Sequence, residues 1–199
     1  HQNGFFGAFS FESVQLFEDI DLGKSNSDLP EVFLAAYEFV LIFDHFSNQI
    51  TLLHNSFNSA ENGLPAIIGL MRQMARSESF FQLKGEAYSS ESDDSFKRKV
   101  DKIKEHVKRG DVFQLVLSRQ FQQAFEGDDF EVYRALRTLN PSPYMFYFDL
   151  NHAKLIGASP EAQIKIEKGK SEIHPIAGTV RRNGEAEKDA EGIEFLIND

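Results

Sequence analysis

NPSPYMFYFDLNHAKLIGASPEAQIKIEKGKSEIHPIAGT, residues Asn140 to Thr179, is the stretch whose reading decides the fold. Three turn-like nodes punctuate it: Asn140-Pro141-Ser142-Pro143, Gly157-Ala158-Ser159-Pro160-Glu161 and Pro175-Ile176-Ala177-Gly178-Thr179. Between them lie short apolar runs with strand character, Tyr144 to Leu150, Lys154 to Gly157 and Ala162 to Glu167. Lys168-Gly169 then makes a hairpin turn into Ser171 to Ile176. Tight turns join antiparallel strands and cannot join parallel ones, which need a long crossover. Nodes held at strand ends are also where a sheet protein usually carries its binding groups.

Upstream, Asp111 to Phe121 (DVFQLVLSRQF) is rich in β-formers and reads as a strand. A short helix is expected from about Asp129 to Leu139, stopped by Asn140-Pro141. Ser92 is placed to cap a helix bearing Phe96, Val100, Ile103 and Val107 on one face, with Asp93 and Asp94 in its first turn and Gly110 at its end. Further back, Ser59 to Asn62 opens a segment in which Leu64, Ile67, Ile68, Met71 and Ala75 keep helical spacing. Val32 to Phe43 and Gln49 to His54 read as a hairpin around the turn residues Asp44 to Asn48, and Asn3 to Phe11 as a buried strand before a short helix. Helices inserted among strands joined by tight turns give an α+β fold with mainly antiparallel sheets and helices packed outside. Ser77 to Asp94 is polar and acidic, so a boundary is expected near Ser89 to Ser92, dividing the chain into regions 1–90 and 91–199.

Composition narrows the function. The 199 residues carry a formal net charge of −10 and no cysteine, which excludes disulfides, thiolate metal sites and a Cys nucleophile. An acidic chain without clustered Lys and Arg is not a nucleic-acid binder. A small anion can still be held locally by backbone N–H groups or an arginine. No run approaches the roughly 18 apolar residues of a membrane span, so no membrane partner is expected. With no cysteine and no signal peptide, a cytoplasmic location is expected. Twenty Phe residues supply material for a substantial core.

Few residues could carry chemistry. Glu161 follows Pro160 in a turn kept open by Gly157 and Ala158, the setting a general acid needs; an exposed Glu at a strand start is the plain alternative. Ala177-Gly178-Thr179 offers successive N–H groups and a hydroxyl to a carboxylate, or is an ordinary glycine turn. Asn140, Pro143, Tyr144 and Met145 could wall a flat apolar pocket, or merely stop a helix and begin a strand. Gln114 interrupts an apolar run and could simply face solvent. His45, His54, His106, His152 and His174 show no metal-ligand spacing, so no metal is assigned to this chain.

Taken in order, GDVFQLVLSRQF (110–121), NPSPYMF (140–146), GASPE (157–161) and PIAGT (175–179) resemble the chorismate-utilising enzymes, closest to the anthranilate synthase component I branch. The opening NGFFGAFSFESVQLFEDI resembles the aromatic- and glycine-rich segment late in that family's N-terminal region, so the resemblance runs along the whole chain. Water-adding members carry a lysine base where Gln114 stands; a glutamine cannot deprotonate water, so the resemblance is to ammonia users. Many aminodeoxychorismate synthases carry lysine where Ala177 stands, which favours anthranilate synthase and keeps the other as the alternative. The resemblance implies that Glu161 is the acid protonating the departing C4 hydroxyl of chorismate, and that Gly178 and Thr179 hold a chorismate carboxylate. It implies a tryptophan inhibitor site at Asn140, Pro143, Tyr144 and Met145, a magnesium ion, and a glutamine amidotransferase partner (component II). Region 1–90 would be a remnant of the regulatory region, and 91–199 the N-terminal part of the catalytic domain. The family's magnesium ligands, catalytic histidine and remaining chorismate ligands have no counterpart in these residues. The chain is therefore expected to be an internal fragment, inactive alone. A non-catalytic module binding tryptophan or a partner subunit is the reading from a different class.

Overall fold

The computed structural model describes residues 3–23, 29–57, 63–73, 79–176 and 178–198. Its contacts group into two units, His1–Ser79 with Leu150–Ala153, and Phe80–Asp149 with Lys154–Asp199. The fold is α+β, and the paired strands of all five sheets run antiparallel.

In the first unit β1 (Phe5–Phe9) pairs with β2 (Val32–Ala36), and β3 (Phe39–Asp44) with β4 (Gln49–His54). A 3-10 turn over Phe11–Leu16 follows β1. The long apolar run expected as one strand is thus two: it breaks at Tyr37-Glu38, and its halves pair with different partners. The β3–β4 hairpin forms as expected. The Asp44 carboxylate accepts from the Ser47 hydroxyl at 2.6 Å and from the backbone N–H groups of Phe46 and Ser47, which holds its carboxyl below the usual carboxylate range. Asn3 and Asn55 exchange amide hydrogen bonds of 2.7 and 3.0 Å and so stitch the two hairpins together. Helix α1 (Leu64–Arg72) carries Leu64, Ile67, Ile68 and Met71 as expected; Ser59 to Asn62 and Ala75 lie outside the described residues.

The second unit opens with β5 (Phe81–Ser89), which occupies half of the polar stretch 77–94 and pairs with β6 (Phe121–Gly127). Between them runs α2 (Asp93–Arg109), capped by the Ser92 hydroxyl accepting from the N–H of Ser95 and ended at Gly110, as its sequence predicts. Residues 111–120, expected as a strand, form neither helix nor strand. β-Forming side chains do not suffice there. A strand needs a hydrogen-bonded neighbour, and only from Phe121 does this segment find one in β5.

Helix α3 (Phe130–Leu139) then leads to β7 (Tyr144–Asp149) and β8 (Lys154–Ser159), and β9 (Lys165–Glu167) turns through Lys168-Gly169 into β10 (Lys170–Glu172). Both turn residues have positive φ, 51° and 76°, the conformation of a tight two-residue hairpin turn. Helix α4 (Ala186–Asn198), not anticipated from the sequence, closes the unit. Packing is aromatic. Tyr147 of β7 meets Phe130 of α3 edge-on at 5.2 Å and Tyr133 at 6.2 Å, so α3 covers one face of the β7–β8 hairpin. On the other face Phe146 and Phe148 lie 5.8 Å apart.

The expected large core is not present among the described residues: no hydrophobic side chain there is buried, and Phe5 of the supposedly buried first strand is 76% exposed. The physical reason is that each sheet has only two strands. Two strands alone are too narrow to enclose a large side chain, so phenylalanines pair locally without being enclosed.

Candidate functional site

The β7–β8 register does the main work of assembly. Tyr144 lies opposite Ser159 and Met145 opposite Ala158. The Asn140–Met145 stretch and the Ser159–Glu161 turn, read separately from sequence, therefore meet at one end of one hairpin. Gly157 and Ala158 do not keep a turn open, as expected; they are residues of β8. Glycine at 157 leaves room for a neighbouring ring. The ring of Phe146 lies across it, and an added Cβ would fall 2.2 Å from Phe146 Cζ.

The turn itself begins at Ser159. Its hydroxyl donates to the carbonyl of Glu161 at 2.9 Å and accepts from the N–H of Glu161 at 3.3 Å, with Pro160 between them. Glu161 is half-buried at the end of this loop rather than freely solvated. On the neighbouring strand, the N–H of Asn140 donates to the carbonyl of Leu136 at 2.8 Å, and the Ser142 hydroxyl donates to the carbonyl of Asn140. Helix α3 is thereby ended and the chain turned through Pro141 and Pro143 into β7.

The other expected site residues stand apart from this pairing. Gln114 is exposed within residues 111–120. Gly178 and Thr179 are exposed before α4, and Leu196 of that helix packs over Gly178, 2.9 Å from where a Cβ would sit. Ala177 lies outside the described residues.

A residue the sequence reading passed over is Arg119. It donates from Nε to the Ser89 hydroxyl at 2.7 Å, from Nη1 to Asp93 Oδ1 at 2.6 Å and from Nη2 to the carbonyl of Glu91 at 2.7 Å. Its guanidinium also lies 4.7 Å from the ring centre of Phe121. Hydrogen bonding to Arg119 holds the Asp93 carboxyl below its usual range, and Lys99 does the same for Glu91. Together with Asp111, which accepts from Arg109 at 2.8 Å and stands 2.8 Å from His106 Nδ1, this arginine pins both ends of the Gln114 segment to the ends of α2. The available signal was a single charge set in an apolar run.

Among the described residues no three His, Cys, Asp or Glu side chains converge as a metal site. No helix among them is long and apolar enough to cross a membrane.

The family profile of chorismate binding enzymes matches residues 1–199. The chain belongs to that family. Among its relatives, the rice (Oryza sativa subsp. japonica) "Anthranilate synthase alpha subunit 2, chloroplastic" is 33% identical over 94% of this chain and 35% of its own. "Anthranilate synthase component 1" of Aquifex aeolicus is 32% identical over 98% of this chain and 42% of its own. In fold, the crystal structure of anthranilate synthase component I from Streptococcus pneumoniae TIGR4 superposes with a TM-score of 0.75 at 24% identity, covering 100% of this chain and 46% of that one. The chain spans less than half the length of these family members.

Proposed function

We propose that this chorismate-binding chain is part of the aminase subunit of an anthranilate synthase, converting chorismate and ammonia to anthranilate and pyruvate. The observation that carries the reading is the held Ser159-Pro160-Glu161 turn: it fixes the backbone of a half-buried glutamate just past a strand end, where a general acid is wanted. Glu161 gives its proton to the C4 hydroxyl, which leaves as water, while the ammonia lone pair adds at C2. Loss of the C2 proton and departure of pyruvate from C3 then aromatise the ring. Gln114, unable to act as a base toward water, leaves ammonia as the nucleophile. Gly178 and Thr179 receive a carboxylate of chorismate, beside Ala177. Relatives named as anthranilate synthases over most of this chain support this choice.

Asn140, Pro143, Tyr144 and Met145 form part of a tryptophan inhibitor site, and region 1–90 belongs to the regulatory part of the protein, region 91–199 to the catalytic part. A component II glutamine amidotransferase supplies ammonia. Magnesium is the expected cofactor, and its ligands come from sequence other than these described residues. The 199-residue chain alone is inactive in this reading, since the family's magnesium ligands and catalytic histidine have no counterpart in these residues. The test is product analysis with the full-length protein: anthranilate from chorismate, ammonia and magnesium is expected. A product that keeps its enolpyruvyl group would assign aminodeoxychorismate synthase instead.

A further inference from the structure

We propose that Ser159 is the positioning residue for the Glu161 carboxyl, acting on the backbone of Glu161 without touching substrate; this rests on Glu161 being the acid. Ser159 is the last residue of β8, fixed by its pairing with Tyr144 across the hairpin. Its one hydroxyl engages both backbone polar groups of Glu161, donating to the carbonyl and accepting from the N–H. Pro160 has no N–H to offer a competing bond, and its ring fixes φ, so the loop from Ser159 to Glu161 has few other ways to close. The Cα of the acid is therefore located by a rigid three-residue ring anchored on a paired strand.

A general acid works only within hydrogen-bond reach of the group it protonates, and a displacement of about 1 Å can cost roughly 100-fold. Removal of the hydroxyl leaves the Glu161 carboxyl in place chemically but releases its backbone. A hydroxyl that merely ends a strand would affect stability and substrate binding together. A positioning hydroxyl affects the chemical step.

The experiment compares Ser159→Ala, Ser159→Thr, Ser159→Val and Glu161→Gln in the full-length enzyme, with chorismate and saturating ammonia. Ser159→Ala is expected to lower kcat about 10- to 100-fold with KM unchanged, and Ser159→Thr to restore it. Thr and Val share a shape and differ in the hydroxyl, so their ratio isolates the bond even where Ala impairs folding; Val is expected to behave as Ala. Equal kcat for the Thr and Val variants, with Glu161→Gln inactive, would overturn the positioning role alone. Full activity of Glu161→Gln would overturn the reading of Glu161 and the positioning role with it.

Discussion

Arg119 shows what one side chain contributes here. Its three charge-assisted hydrogen bonds reach β5, the residue before the α2 cap and the first turn of α2, and its side chain is 16% exposed. Arg119→Ala leaves the Ser89 hydroxyl and the Glu91 carbonyl without this donor. We expect a loss of about 1–3 kcal/mol, read as a lower urea midpoint of the full-length protein, while Arg119→Lys recovers only part because one ammonium cannot span three acceptors. Acid acts on the same node. The Asp93 carboxyl is depressed below 3.8 by Arg119, so its contribution is present above that value and is lost as pH falls through the folded-state pKa. Glu161 and its proline were visible in the sequence as a turn, with an exposed strand-start Glu as the alternative. The Arg119 network was not legible, because its partners lie 26 to 30 positions away in sequence.

At the scale of the element, the β7–β8 hairpin sets Tyr144 and Met145 directly against Ser159 and Ala158. Short apolar runs with turn residues between them made these strands readable, as with β3–β4. The register was not readable, and it is the register that sets Tyr144 against Ser159. The same limit explains residues 111–120, whose composition suits a strand that has no partner until Phe121. The hairpin is fastened to α3 by the Tyr147 hydroxyl, which donates to Asp129 Oδ1 at 2.5 Å. That bond pushes the phenol up from 10.0 to about 12. A raised folded-state pKa means the contribution is complete below pH 10.0 and is lost as pH rises through about 12. Ultraviolet titration should show one tyrosine ionising late in the wild type and missing in Tyr147→Phe. A wild-type curve with no late phase would contradict the fastening.

For the whole molecule, the relevant quantity is surface. Among the described residues no hydrophobic side chain is buried. Phe113 and Val116 are among the fully or largely exposed apolar side chains, and among the described residues each sheet has two open edges. The family members of which it covers 35% to 46% have further chain with which to cover such faces. Fold class was legible because turns dictate antiparallel pairing; the exposure of the described phenylalanines was not, since composition counts them without saying what encloses them. The 199-residue chain, assayed alone with chorismate, ammonia and magnesium, is expected to give no anthranilate, and turnover by it would show that its own residues complete the site.

The central claim is that Glu161, held at the end of β8, is the acid of an ammonia-dependent chorismate site. The most direct measurement is the initial rate of anthranilate formation by the full-length protein and its Glu161→Gln variant, with chorismate, ammonia and magnesium. The account predicts anthranilate from the wild type and a loss of about 10²- to 10⁴-fold in kcat for the variant. An undiminished kcat in Glu161→Gln would contradict it.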